Sequence, residues 1–225
     1  MVADKLKKVL ERMESAAVAA GRSPDDVTLV AVSKGHGPDA VMDAYDQGHR
    51  DFGENRAAEL AEKAELLPAD IRWHFIGSLQ TRQAKIARPH TTLLHSLDRP
   101  RLARIWAADP LVPPALIQVN VAAEPQKHGI EPDRVAELLE VAAGEGVECR
   151  GLMCMPPLVS DPDDNRKWFA ALRRLRDDLI ADWPNLGHLS MGMTDDYEVA
   201  IAEGATLIRV GRAIFGVPVT AARND

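Results

Sequence analysis

The 225-residue chain is predicted to fold as one α/β domain, a (β/α)8 barrel of the TIM type. Three observations lead there. Short apolar, β-branched runs recur eight times. A segment of helical periodicity separates each run from the next. Polar groups able to do chemistry gather just after the runs, at the strand ends where such barrels build their sites. An open doubly wound sheet is the competing arrangement of the same alternation.

Residues 2–20 place Leu6, Val9, Leu10, Met13, Ala17 and Val18 on one helical stripe, and Gly21 ends it. Residues 27–32 are almost wholly apolar, as a parallel strand buried on both faces requires. The alternation then repeats as helix 38–47 and strand 49–52, helix 56–66 and strand 71–76, and helix 81–87 and strand 92–95. It continues as helix 99–107 and strand 115–119, helix 132–143 and strand 148–153, helix 168–181 and strand 188–191, and helix 194–203 and strand 206–210. Right-handed βαβ units on a parallel sheet follow from this order. No Pro/Ser-rich linker or charge block divides the chain, so residues 1–225 are expected to form a single domain.

Composition excludes several function classes. A net charge of -7 and a pI of about 5.5 argue against a partner bound through its phosphate backbone, so no nucleic acid is expected. No apolar run reaches the ~18 residues of a membrane span, and the charged, helical first residues do not resemble a targeting segment. Cys149 and Cys154 have no histidine beside them and read as small apolar fillers, with no metal site expected. A reducing compartment, the cytoplasm, is the expected location.

Lys34 ends the first apolar run. At a barrel mouth its amine would lose hydration and become a nucleophile; snorkelling to solvent is the equally open alternative. The segment Ser190-Met-Gly-Met-Thr194, with Thr194 as a helix N-cap, could cradle a phosphate on free backbone N–H groups, as could Val210-Gly-Arg-Ala213. Loops after strands seven and eight often do this in such barrels, though an ordinary βα turn has the same composition. Arg209 lies in an apolar strand and must either bind a ligand or pair with an internal carboxylate such as Glu54. His74 reads best as a satisfied core histidine, and Asn55 as a candidate N-cap. Nucleotide-binding glycine motifs are missing.

The segments at the strand ends, taken in order, resemble one family. They are Ala31-Val-Ser-Lys34, Phe52-Gly-Glu-Asn55 with Glu59, Trp73-His-Phe-Ile-Gly77 with Leu79-Gln80, and His95-Ser96 with Asp98. Then come Gln118-Val-Asn120 with Glu124, Lys127 and Gly129, Gly151-Leu-Met153 with Pro156, Leu189-Ser-Met-Gly-Met193 with Asp196, and Arg209-Val-Gly211 with Ile214-Phe-Gly216. Together these resemble the pyridoxal phosphate homeostasis protein family, over nearly the whole chain. The resemblance implies a fold-type III barrel like the N-terminal domain of alanine racemase. It implies pyridoxal 5′-phosphate held as a Schiff base on Lys34. Arg209 would face the pyridine nitrogen, Asn55 would lie beside the ring, and Ser190 with the backbone near Met191, Gly211 and Arg212 would hold the phosphate. It also implies cofactor buffering and delivery to apo-enzymes, without accepted catalytic activity.

The chain departs from the family pattern at Arg82-Gln83, where Asn-Lys is usual, and at Ala58, where Gln is usual. Ser is commoner at Thr194, and some members have Thr at Arg212. An arginine opposite the pyridine nitrogen leaves that nitrogen unprotonated, so the ring is a weak electron sink. Racemases of this type add a tyrosine base from a second domain, whereas Tyr45 and Tyr197 are the only tyrosines and neither ends a strand. A monomeric carrier is therefore expected. A low-activity racemase or lyase, and a barrel that only binds partners, are the alternatives.

Overall fold

The computed structural model describes residues 1–218 apart from residue 125, so residues 219–225 of the expected domain lie outside the described residues. Eight parallel strands close into a barrel in sequence order. The first half runs α1 (Val2–Ala19), β1 (Thr28–Val32), α2 (Pro38–Tyr45), β2 (Asp51–Glu54), α3 (Ala57–Leu66), β3 (Arg72–Phe75), α4 (Ala84–Ala87), β4 (Leu93–Leu97) and α5 (Pro100–Trp106). The second runs β5 (Ala115–Val119), α6 (Val135–Gly144), β6 (Cys149–Cys154), α7 (Arg166–Leu179), β7 (His188–Ser190), α8 (Tyr197–Ala202), β8 (Leu207–Val210) and α9 (Arg212–Phe215). The last strand pairs with the first, with Arg209 opposite Val30. Closure settles the choice against an open sheet and leaves no strand edge.

Closure also sorts each strand by a two-residue period. Outward residues such as Leu29, Ala31, Phe52, Trp73, Phe75, Leu189, Ile208 and Val210 join the large core beneath the helices. A smaller apolar cluster, Val30, Leu93, Leu116, Met153 and Leu207, belongs to the opposite face and fills part of the lumen. The same period turns Asp51, His74, His95, Ser190 and Arg209 inward, and all five are buried. Cys154 is fully buried on β6, and burial pushes its thiol up to about 12, which fits an apolar filler.

Every expected strand is present, with shifted ends. The second strand begins at Asp51 and runs to Glu54, where the apolar signal stops at Phe52. The expected helix from Thr194 begins only at Tyr197. Asp196 turns back to accept the Met193 N–H at 2.7 Å, so residues 194–196 form a turn and Thr194 is not the N-cap. Asn55 likewise precedes the N-cap position, which Arg56 takes. The four-residue helix α9 is too short to show a period in the sequence. Among the described residues no helix is long and apolar enough to cross a membrane.

Gly77 follows β3 against the loop after β2. A Cβ there would stand 2.3 Å from the Asn55 carbonyl oxygen and 2.7 Å from its Cα, so the two strand ends meet only because no side chain intervenes. Gly77→Ala should lower stability by at least about 1–3 kcal/mol in denaturant unfolding, because the obstacle is backbone rather than a movable side chain. An unchanged midpoint would mean that the two strand ends do not pack this closely.

Candidate functional site

Lys34 follows β1 at the C-terminal mouth of the barrel, and its side chain is exposed. The solvent-facing alternative is the one adopted here. Its backbone, however, is pinned on both sides. Ser33 Oγ donates to Glu54 Oε1 at 2.6 Å, and the Ser33 carbonyl accepts from Lys63 Nζ at 2.9 Å. On the other side the Gly35 N–H donates to Glu59 Oε1 at 2.6 Å. Lys63 joins the halves, with its Nζ 2.5 Å from Glu54 Oε1 and 2.9 Å from Glu59 Oε1. Burial pushes the Glu54 carboxyl above its ordinary range, against the downward pull of Lys63 and Ser33.

Arg209 does not pair with Glu54. The strand period points Glu54 outward to α3, where Lys63 takes it, whereas Arg209 points into the lumen. The guanidinium donates from Nη1 to Ser190 Oγ at 2.6 Å and from Nη2 to the Cys154 carbonyl at 2.9 Å. Both acceptors are neutral, so this buried cation has no carboxylate in contact among the described residues. Burial lowers its pKa from the usual arginine value. His74 is the satisfied core histidine that was expected, bonded to His95 and Asp51.

The two candidate phosphate loops lie side by side. In the first, the Met191 N–H is spent on Leu207 O at 3.1 Å and the Met193 N–H on Asp196. Ser190 has no exposed surface, and its hydroxyl already has two partners, Arg209 and His95. Neither Ser190 nor the Met191 N–H is therefore free in the way the resemblance implied. In the second loop the N–H groups of Gly211 and Arg212 have no acceptor among the described residues. The Arg212 guanidinium reaches across to Asp195 and ties the two loops at the surface, so its charge is not a free addition to the site. Asn55, at the end of β2, has its side-chain oxygen buried and without a partner. Among the departures from the family pattern, Ala58 and Arg82 are exposed at the rim.

Sequence reading missed Lys63. It lies on a helix among charged residues, and only the fold brings it beneath Lys34. Its signal was the spacing Glu59–Lys63, an i,i+4 pair, which is more often a surface feature.

No protein-family model matches the chain. Among curated proteins, the pyridoxal phosphate homeostasis protein of Aquifex aeolicus is 41% identical over 220 residues, covering 95% of this chain and 96% of that one. This chain belongs to the pyridoxal phosphate homeostasis protein family. The Escherichia coli member is 37% identical over 230 residues. Among solved structures, the family member PipY from Synechococcus elongatus, with pyridoxal phosphate bound, superimposes with a TM-score of 0.77 at 35% identity, over 96% of this chain and all of that one. Alanine racemase of Corynebacterium glutamicum superimposes with a TM-score of 0.74 at 14% identity over 62% of its own length, which establishes a shared barrel fold.

The clamp around Lys34 makes a pH-dependent prediction. Lys63→Met leaves Glu54 buried without its cation and should cost about 3–5 kcal/mol near neutral pH. A carboxyl with a raised folded-state pKa binds its proton more tightly folded than unfolded. Stability is therefore lost as pH rises from the unfolded value through the raised one, and the penalty should shrink as pH is lowered. Adding Glu54→Gln should restore most of the loss. A penalty that ignores both pH and the second substitution would show that Glu54 is not the group left unpaired.

Proposed function

We propose that this chain binds pyridoxal 5′-phosphate covalently through the amine of Lys34 and acts in its homeostasis as a carrier rather than a catalyst. The observation that carries the reading is Arg209, a buried guanidinium with only neutral partners at the inner end of a site whose mouth presents an exposed lysine. A cation so placed is stabilised by an acceptor supplied from outside the chain. The other groups fit the cofactor. The unspent N–H groups of Gly211 and Arg212 suit its phosphate, and the unpartnered Asn55 oxygen suits a polar group beside the ring. The relative PipY is solved with the same cofactor.

When bound, the cofactor supplies an aldehyde for an amine to capture and a ring that withdraws electrons. The chain's own residues favour holding over turnover. Arg209 keeps its proton at any ordinary pH and leaves a ring nitrogen facing it unprotonated, which weakens the electron sink. Neither tyrosine serves as a base at the site. Tyr45 bonds Asp70 and stacks on Arg50, and the Tyr197 ring faces Arg12 of α1, outside the barrel. Action as a cytoplasmic monomer that delivers to apo-enzymes belongs to the same reading.

Loading the protein with the cofactor should give a visible absorption band that Lys34→Ala abolishes, and borohydride reduction should fix the added mass on Lys34. Incubated with an apo-enzyme, the holo-protein should restore activity faster than an equal amount of free cofactor. Recovery no faster than with free cofactor would remove delivery from the role. Steady turnover of D- or L-amino acids at enzyme-like rates would replace the carrier with a catalyst.

A further inference from the structure

The lumen holds a line of buried polar groups that cofactor binding does not account for. Arg209 Nη1 donates to Ser190 Oγ at 2.6 Å, and Ser190 Oγ lies 2.8 Å from His95 Nδ1. His95 Nε2 lies 2.9 Å from His74 Nδ1, and His74 Nε2 lies 3.2 Å from Asp51 Oδ1. The line runs from the first residue of β2 to the last of β7 and on to β8. Its Ser190–His95 link crosses the lumen between strands that are not neighbours. Ser190 and His95 have 0% and Arg209 4% of their surface exposed, so solvent does not share these bonds.

With both imidazoles neutral, the two ends set the direction of every bond. Arginine can only donate, so Ser190 Oγ must accept from it. At the far end, burial works to raise the Asp51 carboxyl. Hydrogen bonds from His74 and Arg72 overcome this and hold it well below the carboxylate range, so Asp51 only accepts. His74 must then carry its proton on Nε2, leaving Nδ1 bare to accept from His95 Nε2. His95 Nδ1 is bare in turn and accepts the Ser190 proton. Each link then has one proton, and every donor on the line meets one acceptor. Burial, with His74, Arg209 and His188 nearby, pushes His95 well below the ordinary histidine range, in keeping with a neutral ring. The charged and titratable groups that act on the pair are Asp51 at His74, Arg209 and His188 at His95, and Arg72 and His49 beside Asp51. A proton added to the pair would reverse the line and leave the Ser190 hydrogen to find a third partner inside a closed lumen.

We propose that Asp51, His74, His95 and Ser190 are positioning residues for Arg209, holding its guanidinium in one orientation toward the ring of the bound cofactor, and that Ser190 serves this cation rather than the phosphate. The proposal rests on Arg209 being a ring contact, as read above. Its chemical sense lies in the neutrality of the line. A carboxylate at the position of Ser190 would orient Arg209 equally well but would cancel the charge that a ligand can use. A serine backed by two neutral imidazoles orients it and leaves that charge unspent. Within the line the one carboxylate is at the far end, where Arg72 engages it in two hydrogen bonds of 2.8 and 2.6 Å, and Asp196 acts on Arg209 through space without touching it.

The test compares pyridoxal 5′-phosphate with pyridoxal, which has the ring and no phosphate. Ser190→Ala and His95→Leu should weaken both ligands by the same factor, about tenfold. His95→Gln, which offers one acceptor and one donor, should recover most of that loss. A loss confined to pyridoxal 5′-phosphate would assign Ser190 to the phosphate and overturn the proposal, as would no loss for either ligand. Nitrogen-15 NMR of the histidine rings in the unliganded wild-type protein decides the matter if the variants do not fold. His74 and His95 should both be neutral with the proton on Nε2, and a cationic His74 or a His95 protonated on Nδ1 overturns the line. Wild-type protein that binds neither ligand overturns the cofactor reading by itself, and the ring nitrogens then still report on the line.

Discussion

A charge sealed inside a closed parallel barrel constrains everything placed near it. The lumen is walled by paired strands, and Ser190, His95 and Arg209 are almost fully removed from solvent. Arg209 can be kept there only if each of its arms meets an acceptor and each acceptor is satisfied in turn. That requirement extends from β8 through β7, β4 and β3 to β2, and it explains why five strands contribute an inward polar residue to one connected line beside the apolar Val30, Leu93, Leu116, Met153 and Leu207.

The lysine end of the site is built by different means. Lys34 stands outside the lumen, and its loop is held from the helix side by Lys63, Glu54 and Glu59. The inner line and the outer clamp share no residue. One sets the direction of a cation and the other the path of a backbone, so each can be disturbed without the other. Gly77 links them only through geometry, by letting the loop after β2 lie against the end of β3.

Much of this was legible in the sequence, and the exceptions have physical causes. The barrel followed from eight apolar runs, because strands buried on both faces must be nearly continuous in apolar residues. Lys34, Arg209, Gly211 and Asn55 stood out because they are polar or glycine at strand ends. The end of β2 was hidden because Glu54 reads as a loop residue, whereas in the fold it is a strand residue matched by Lys63. Ser190 was legible as a site residue but not as an interior one. Its partner His95 is 95 positions away, and nothing local signals that their strands face each other across the lumen. Contacts made by closure, rather than by neighbouring strands, leave no spacing to read.

The exposure of Lys34 bears on how cargo would come and go. An amine buried behind a lid passes its ligand on only as fast as the lid opens, so exchange is limited by a protein motion. Here the amine already meets solvent while the loop carrying it is pinned at Ser33 and Gly35. Loading and unloading would then be governed by bond chemistry at one nitrogen and by whatever amine or water arrives there, with a scaffold that need not change shape between full and empty.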